Sequence, residues 1–491
     1  MNVRIIDLFV GADVIFPADV DLDREVTITE NATDASPDTV LFLTRLANRE
    51  RREIDIKNSP YAIVCDREDA ARFKGERLIL TDNVRKTLSF AYSNLYKIDY
   101  SRVKIIAVTG TNGKTTVATM LHRIFRSSGE DAGFIGTGEI RINETVISDK
   151  YYSMTTPDPH LLYRSIKEMI DFGCRYIVME ASSHGIALEK LAPIKFTVGV
   201  FTNLSHEHRD FHKTMDDYFE TKLSLFEQCE CGIFNLDCPY SARAGRLAKC
   251  KAHTVGIINR GDVFATDVYL RGLLGSSFFY REENLIFGVD LKLPGAFNVY
   301  NALMALKAAI ASGVAACDAK RAICSLDGID GRMEDIGDDV SVIIDYAHTP
   351  YAVENVLKTL FSTKRARQRL SVVIGCGGER EKEKRQEIGR IVAKYCDKIY
   401  LTEDNSRGER TEDIIEEIAS AIPECDGVYK IPSRKAAIEF AILHAEEGEI
   451  IAILGKGKES YIVEAGGYAD YSDKTEAQLA LRKRWENANK A

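Results

Sequence analysis

The residues best suited to chemistry begin in the stretch Ile105 to Phe125, "IIAVTGTNGKTTVATMLHRIF". An apolar run meets a glycine-punctuated loop and then a helix-patterned segment, the strand, loop and helix order of a phosphate cradle. Gly110 and Gly113 allow the backbone close to a ligand, and the helix start offers unpaired N–H groups to an anion. Lys114 is suited to neutralising β- and γ-phosphate oxygens, and the Thr115 hydroxyl to a magnesium ion. The common G-x-x-x-x-G-K-[ST] spacing fails, because its first glycine falls on Val108. A solvated turn is the plain alternative, and the flanking strand and helix patterns weigh against it.

A second chemical group closes the next apolar run, "IVMEASSHG", where Glu180 stands at a strand tip near His184. A third lies in "FTNLSHEHRDFH", with His206, His208 and His212. Zinc sites favour helical H-x-x-x-H pairs or added cysteines, so the expectation is one histidine, His208, sharing a hard cation with Glu180 and phosphate oxygens. The eleven cysteines form no C-x-x-C pairs. The cluster of Cys229, Cys231, Cys238 and Cys250 reads as reduced thiols rather than a metal site.

The elements that must position these groups read as an α/β protein. At 491 residues the chain calls for about three domains. Residues 1–100 alternate short apolar runs ("TVLFL", "YAIVCD", "RLILTD") with polar turns, a small α/β domain. Residues 101–331 carry "KIIAVTG", "CRYIVMEA", "FTVGVFTNL" and "CGIFNLD", continuous runs that suit a parallel sheet covered on both faces. Residues 250–290 read as antiparallel strands closing this domain, and "FNVYNALMAL" as a helix with Asn298 as its N-cap. Residues 332–491 form a third, Rossmann-like set: "VSVIIDYA", "LSVVIGCGG", "KIYLTEDN" and "EIIAILGKG". The net charge of −9 disfavours nucleic acid as a partner, and no apolar run reaches the ~18 residues of a membrane span. "MNVRIIDLFVGADVIF" is broken by Asp7 and Asp13 and lacks a small-residue cleavage site, which argues for a cytoplasmic protein.

The blocks "GTNGKTT", "MEASSHG", "TNLSHEHRDFH", "YFETKLSLF", "GAFNVYNALMAL", "GRME", "DYAHTP", "GCGGER", "DNSR" and "GKGKE" follow one another in an order that resembles the Mur ligases over roughly residues 100–480. The resemblance implies three domains: a UDP-sugar domain, a central ATPase domain containing the shortened phosphate loop G-T-x-G-K-T, and an amino-acid domain. It implies an ATP- and Mg2+-dependent amide ligase that phosphorylates a substrate carboxylate and lets an amine attack the acyl phosphate. Its substrates are then a UDP-muramoyl dipeptide and a diamino acid, and a monomer is expected.

By the same resemblance, Lys114, Glu180, His208, Lys222 and Arg332 form the catalytic set, and Thr115, Glu180, His208 and a carbamylated Lys222 the metal set. Gly110, Thr111, Asn112, Gly113, Lys114, Thr115 and Thr116 cradle phosphates; Asn298 and Asn301 meet adenine, Arg332 phosphate and Asp345 ribose, with His348 nearby. Thr155, Thr156, Pro157, Asp158 and Ser182 face the dipeptide; Arg380, Asp404, Asn405, Arg407, Gly455 and Glu459 face the amino acid. Four departures stand out. Glu207 replaces the usual Asp, and Ser406 the proline of D-N-P-R; Lys458 replaces a common His, and "ENATDASPDTVLFL" lacks the uridine-binding segment. Arg407 favours diaminopimelate over lysine, since a carboxylate suits its planar fork. The alternatives are a lysine-adding member, a related peptide ligase whose acceptor carries no UDP, and a scaffold, which would have lost Lys114, Glu180, His208 or Arg332.

Overall fold

The computed structural model describes residues 2–44, 59–73, 75–149, 154–205, 211–424 and 426–489. The expected apolar runs become strands wherever helices cover both sheet faces. Tyr176–Glu180, Leu370–Ile374 and Ile450–Leu454 are buried along their whole length, the pattern of interior parallel strands.

Among the described residues the first sheet runs Val3–Arg4, Glu25–Thr29, Thr39–Phe42, Ala62–Asp66, Leu78–Thr81, Val14–Ile15. Its four middle strands are parallel and its two short edges antiparallel. Among the described residues the second sheet has eleven strands. Near its middle, Lys104–Thr109 lies between Tyr176–Glu180 and Phe196–Phe201, all parallel, so Thr109, Glu180 and Phe201 end side by side. The third sheet runs Glu334–Asp335, Ser341–Asp345, Ile450–Leu454, Leu370–Ile374, Lys398–Leu401, Val428–Lys430, parallel apart from its first member.

Two local expectations are corrected. Lys251–Gly256 and Val263–Leu270 extend the central sheet in parallel, and only Ser276–Glu282 and Leu285–Leu291 run antiparallel. The crossover helix Pro239–Leu247 returns the chain to the same end of the sheet after Cys229–Asn235, which makes the next pairing parallel. The long apolar helix Ala296–Ala311 starts two residues before Asn298, which is therefore not its N-cap. Gly295, at φ 91°, is its N-cap, and the Asn298 amide reaches back to the Pro294 carbonyl at 2.8 Å.

Side chains tie the layers together. Ser89 of the helix Val84–Leu95 donates to the Glu189 carbonyl at 2.7 Å, and one apolar cluster runs from Val40 and Phe42 through Leu88 to Leu162 and Ile166. The central and third sheets meet through Arg332 on Thr115 at 2.9 Å, Lys458 on Glu139 at 2.8 Å and Thr349 on Asn112 at 3.4 Å. Among the described residues no helix is long and apolar enough to cross a membrane.

Candidate active site

The loop after Lys104–Thr109 is shaped by its two glycines. Gly110 has φ 138°, and a Cβ there would lie 1.9 Å from the Thr202 hydroxyl; Gly113 has φ 86°, and a Cβ would lie 2.6 Å from Asn301 Oδ1. Both need the missing side chain and the left-handed backbone that glycine adopts without strain. The neighbouring strand end fastens the loop: Thr111 N donates to the Asn203 carbonyl at 2.8 Å, Asn112 N to Asn203 Oδ1 at 3.0 Å, and Thr202 Oγ1 to the Asn112 carbonyl at 2.7 Å. The helix Lys114–Ser127 then starts, with Lys114 Nζ on the Gly110 and Thr111 carbonyls at 3.0 and 2.8 Å.

Glu180, fully buried, receives the Thr115 hydroxyl at 3.0 Å, the Thr137 N–H at 3.0 Å and the Thr137 hydroxyl at 3.2 Å. The Thr115 hydroxyl in turn accepts from Arg332 Nη2 at 2.9 Å, and the Arg332 guanidinium stacks 4.6 Å from the centre of the Tyr346 ring. Beneath the loop, Lys222 is 1% exposed, with Nζ 3.1 Å from the Gly110 carbonyl and 3.4 Å from Thr109 Oγ1. Hydroxyl and carboxylate oxygens side by side suit a hard divalent cation. Residues 206–210, which include His208, lie outside the described residues. His212 is buried, its ring 4.9 Å from that of Tyr218 and 6.3 Å from that of His184. Among the described residues no group of three or more His, Cys, Asp and Glu side chains is arranged to hold a metal, the cysteine cluster included.

Beside the loop, Asn301 donates to Asn298 Oδ1 at 3.0 Å, so the two amides form one unit next to Gly113. Asp345 accepts the N–H groups of Met333 and Ala347 at 2.8 and 2.7 Å, and burial pushes its carboxyl above the usual range. His348 Nδ1 lies 2.9 Å from the Tyr346 carbonyl, an acceptor that requires the proton on Nδ1.

On the opposite wall, Arg407 has φ 52°, an uncommon backbone for a branched-off long side chain, and its N–H is held by the Val463 carbonyl at 3.0 Å. Its guanidinium donates to the Gly378 carbonyl at 2.8 Å and the Asn405 carbonyl at 3.2 Å. Ser406, which stands in place of the proline, is packed into this turn. It is 6% exposed, and a Cβ on Gly378 would lie 1.9 Å from its carbonyl. Burial, the largest influence on Asp404, would raise its pKa, but the Lys456 and Arg434 cations outweigh it and hold the carboxyl at about 2. Asn405 receives Lys456 Nζ at 3.0 Å and the Val463 N–H at 2.9 Å on its carbonyl oxygen, and gives its amide to Glu459 at 3.4 Å.

A cavity of about 680 Å³ joins these walls, a size suited to small-molecule substrates. It is lined by Thr111 to Thr116, Thr155, Glu180, Asn298, Asn301, Arg332, Asp345, His348, Arg380, Asp404, Asn405, Arg407, Gly455 and Glu459. Gly110, Lys222, Thr156, Pro157, Asp158 and Ser182 are not on its wall. Thr156 and Ser182 sit behind Glu180, bonded to each other at 3.0 Å, and Asp158 pairs with Lys190 at 2.7 Å. Three residues escaped the sequence reading: Thr137, Asn203 and Lys456. Thr137 carried a signal, a Gly-Thr-Gly at the end of an apolar run; the other two are set by contacts distant in sequence.

The family model of the Mur ligase middle domain matches residues 108–309, and that of the Mur ligase glutamate ligase domain residues 331–457. A UDP-N-acetylmuramoyl-L-alanyl-D-glutamate--2,6-diaminopimelate ligase of Caldanaerobacter subterraneus is 35% identical, with 83% of each chain covered. The chain belongs to the Mur ligase family. A Geobacillus thermodenitrificans relative of the same name is 32% identical over 94% of this Mur ligase and 95% of its own chain. A solved structure of a ligase with that name covers 99% of both chains at 26% identity and a TM-score of 0.68. Mur ligases are ATP-dependent, and the α/β architecture here is theirs.

Proposed function

We propose that this Mur ligase joins meso-diaminopimelate to UDP-N-acetylmuramoyl-L-alanyl-D-glutamate in peptidoglycan synthesis, with ATP and Mg2+. The observation that carries this reading is the shared cavity. Arg407, Asp404 and Glu459 line it together with the phosphate loop and Arg332, so an amino acid with a carboxylate at each end and an activated acyl group meet in one space. The names of the relatives at 32% and 35% identity support the same pair of substrates.

ATP supplies the phosphoryl group that activates the substrate carboxylate. Such transfer depends on positioned cations rather than a strong base. Lys114 has a flexible stem and rests on the Gly110 and Thr111 carbonyls, from which it would turn to phosphate oxygens. Arg332 adds a second cation from the other sheet, so the site is complete only when the layers are together, which also limits water around a hydrolysable intermediate. Thr115 and Glu180 would hold the magnesium ion, with His208. A carbamate on Lys222 would add an anionic oxygen donor under the loop. Asn298, Asn301, Asp345 and His348 are assigned to the nucleoside, and Thr155 to Asp158 with Ser182 to the dipeptide side, where Thr155 alone reaches the cavity wall.

The proposed domains are 1–100 for the UDP sugar, 101–331 for ATP and 332–491 for the amino acid, in a cytoplasmic monomer. The lysine-adding alternative lacks a role for Arg407. Phosphate release measured with the UDP-muramoyl dipeptide against a panel of amino acids tests the whole reading, and turnover with no diamino acid would end it.

A further inference from the structure

Ile258 stands in the loop between the strands Lys251–Gly256 and Val263–Leu270, lines the cavity and is 82% exposed. Single exposed apolar side chains are ordinary on a protein surface. This one is held in place. Asp237, two residues past the strand Cys229–Asn235, accepts the N–H groups of Ile257 at 2.7 Å, Ile258 at 2.9 Å and Asn259 at 2.8 Å, together with the Asn259 amide at 2.8 Å. The Tyr300 hydroxyl donates to the same carboxylate at 2.7 Å. Burial, the largest influence on Asp237, would raise its pKa, but the three backbone N–H groups and Tyr300 outweigh it and keep the carboxyl below the usual range.

The loop is packed on its other side as well. A Cβ on Gly256 would lie 2.1 Å from the Asn259 carbonyl, and Asp262 accepts the Thr254 N–H at 2.7 Å and its hydroxyl at 2.9 Å. A loop fixed in this way has its shape before a ligand arrives, so binding need not order it. Its position selects the kind of ligand. Tyr300 lines the cavity and adjoins Asn301, and a Cβ on Gly113, just before the helix Lys114–Ser127, would lie 2.6 Å from Asn301 Oδ1. Tyr351, 52% exposed and also on the cavity wall, lies near the Tyr300 hydroxyl. Apolar and aromatic surface therefore continues from the helix start along one side of the cavity, and a flat ring joined to an anionic tail matches it.

We propose that Asp237 is a positioning residue: it holds the loop so that the Ile258 side chain covers one face of the nucleobase of ATP. This rests on the reading of Gly110 to Thr116 as the seat of the phosphates. The contact is apolar and remote from the phosphoryl group, so it adds affinity for any nucleotide with a planar base and nothing for the phosphates alone. Because ground state and transition state both keep the base, its loss falls on KM for ATP and not on kcat.

The test uses the full-length enzyme and two probes, adenylyl imidodiphosphate and inorganic tripolyphosphate, each with Mg2+, measured by calorimetry beside steady-state rates. Ile258→Ser changes an exposed side chain and leaves the fold alone. It is expected to weaken the nucleotide by about fivefold or more and tripolyphosphate by less than about twofold, with Ile258→Leu near the wild type. Asp237→Asn gives the same split between probes. Added to Ile258→Ser, it weakens the nucleotide by no more than about a further twofold, because it acts through Ile258, whereas a general structural role would multiply the two losses. KM for ATP rises with the nucleotide constants, and kcat stays within about twofold of the wild type. Equal losses for both probes, unchanged nucleotide binding in Ile258→Ser, or independent losses in the double variant overturn the proposal. If Asp237→Asn does not fold, Asn259→Gly takes its place: it removes one bond to Asp237 and frees the loop backbone away from the cavity wall, and unchanged nucleotide binding there overturns the positioning role. A wild type that binds tripolyphosphate as tightly as the nucleotide overturns the base contact and leaves the phosphate seat standing. One that binds neither probe ends the phosphate reading, and the proposal with it.

Discussion

Lys458 Nζ lies 2.8 Å from Glu139 Oε1, and this ion pair joins the loop after the strand Ile450–Leu454 to the hairpin strand Glu139–Ile142 of the central sheet. Arg141 approaches the same oxygen at 3.3 Å. With side chains 33% and 20% exposed, the pair is partly shielded from solvent. It latches the two sheets beside the Arg332–Thr115 contact. A double-mutant cycle with Glu139→Ala and Lys458→Ala is expected to show coupling of about 0.5–1 kcal/mol in kcat/KM, reduced at high salt. Additive effects at low salt would mean that the pair does not help closure.

Lys114→Ala is expected to abolish ligation with the fold intact. In the proposed role the lysine meets charge that develops on the transferring phosphoryl group, so a loss of ~3 kcal/mol, over a hundredfold in kcat, follows. Steady-state rates alongside circular dichroism check this; near-normal turnover would remove the phosphate-loop assignment.

Lys222→Ala is expected to be inactive and partly rescued by short carboxylates such as formate or acetate. A bare ammonium 3.1 Å from the Gly110 carbonyl offers no oxygen to a cation, whereas a carbamate does. Intact mass under bicarbonate-free conditions is the direct check, and an unmodified lysine in a fully active enzyme contradicts the carbamate.

Arg407→Ala is expected to erase the preference for diaminopimelate over lysine. Binding lysine leaves the guanidinium without its carboxylate, a penalty of about 2–5 kcal/mol in the wild type that disappears with the side chain. Comparable wild-type rates with the two amino acids, or a preference untouched by the substitution, would defeat the assignment.

Acid should loosen the support of the Arg407 turn. Arg385, fully buried, bonds both Glu409 oxygens at 3.0 Å, and this hydrogen bonding holds the Glu409 carboxyl at about 2. A carboxyl depressed on folding stabilises the native state above its unfolded value near 4.5 and loses that contribution as pH falls towards 2. Thermal unfolding between pH 5 and pH 2 should therefore fall less steeply in Glu409→Gln than in the wild type. Parallel curves would show that this pair does not contribute.

The loop of the candidate site was legible because a tight strand-to-helix turn constrains local sequence. Gly110, Gly113, Lys114 and Thr115 lie within six residues, and the two glycines follow from the backbone angles there. Glu180 was legible as a strand-tip group, whereas Arg407 was named only by the resemblance. The parallel course of Lys251–Gly256 was not, since direction depends on the crossover helix and not on the strand's own residues. The Ala296–Ala311 start was misplaced for a related reason: Asn298 is a fitting cap by type, but Gly295 holds the backbone angle that ends the extended segment.

The sequence by itself determined the α/β class, the order of strand tips, and the residue types that can hold a phosphate, a hard cation and a carboxylate, because each is carried by near neighbours. Tertiary structure alone decided which of them share a space. Arg332 meets Thr115 across 217 positions, and Lys456 meets Asn405 across 51. Such meetings depend on how sheets stack and which strands lie adjacent, and the separation along a chain carries no record of that.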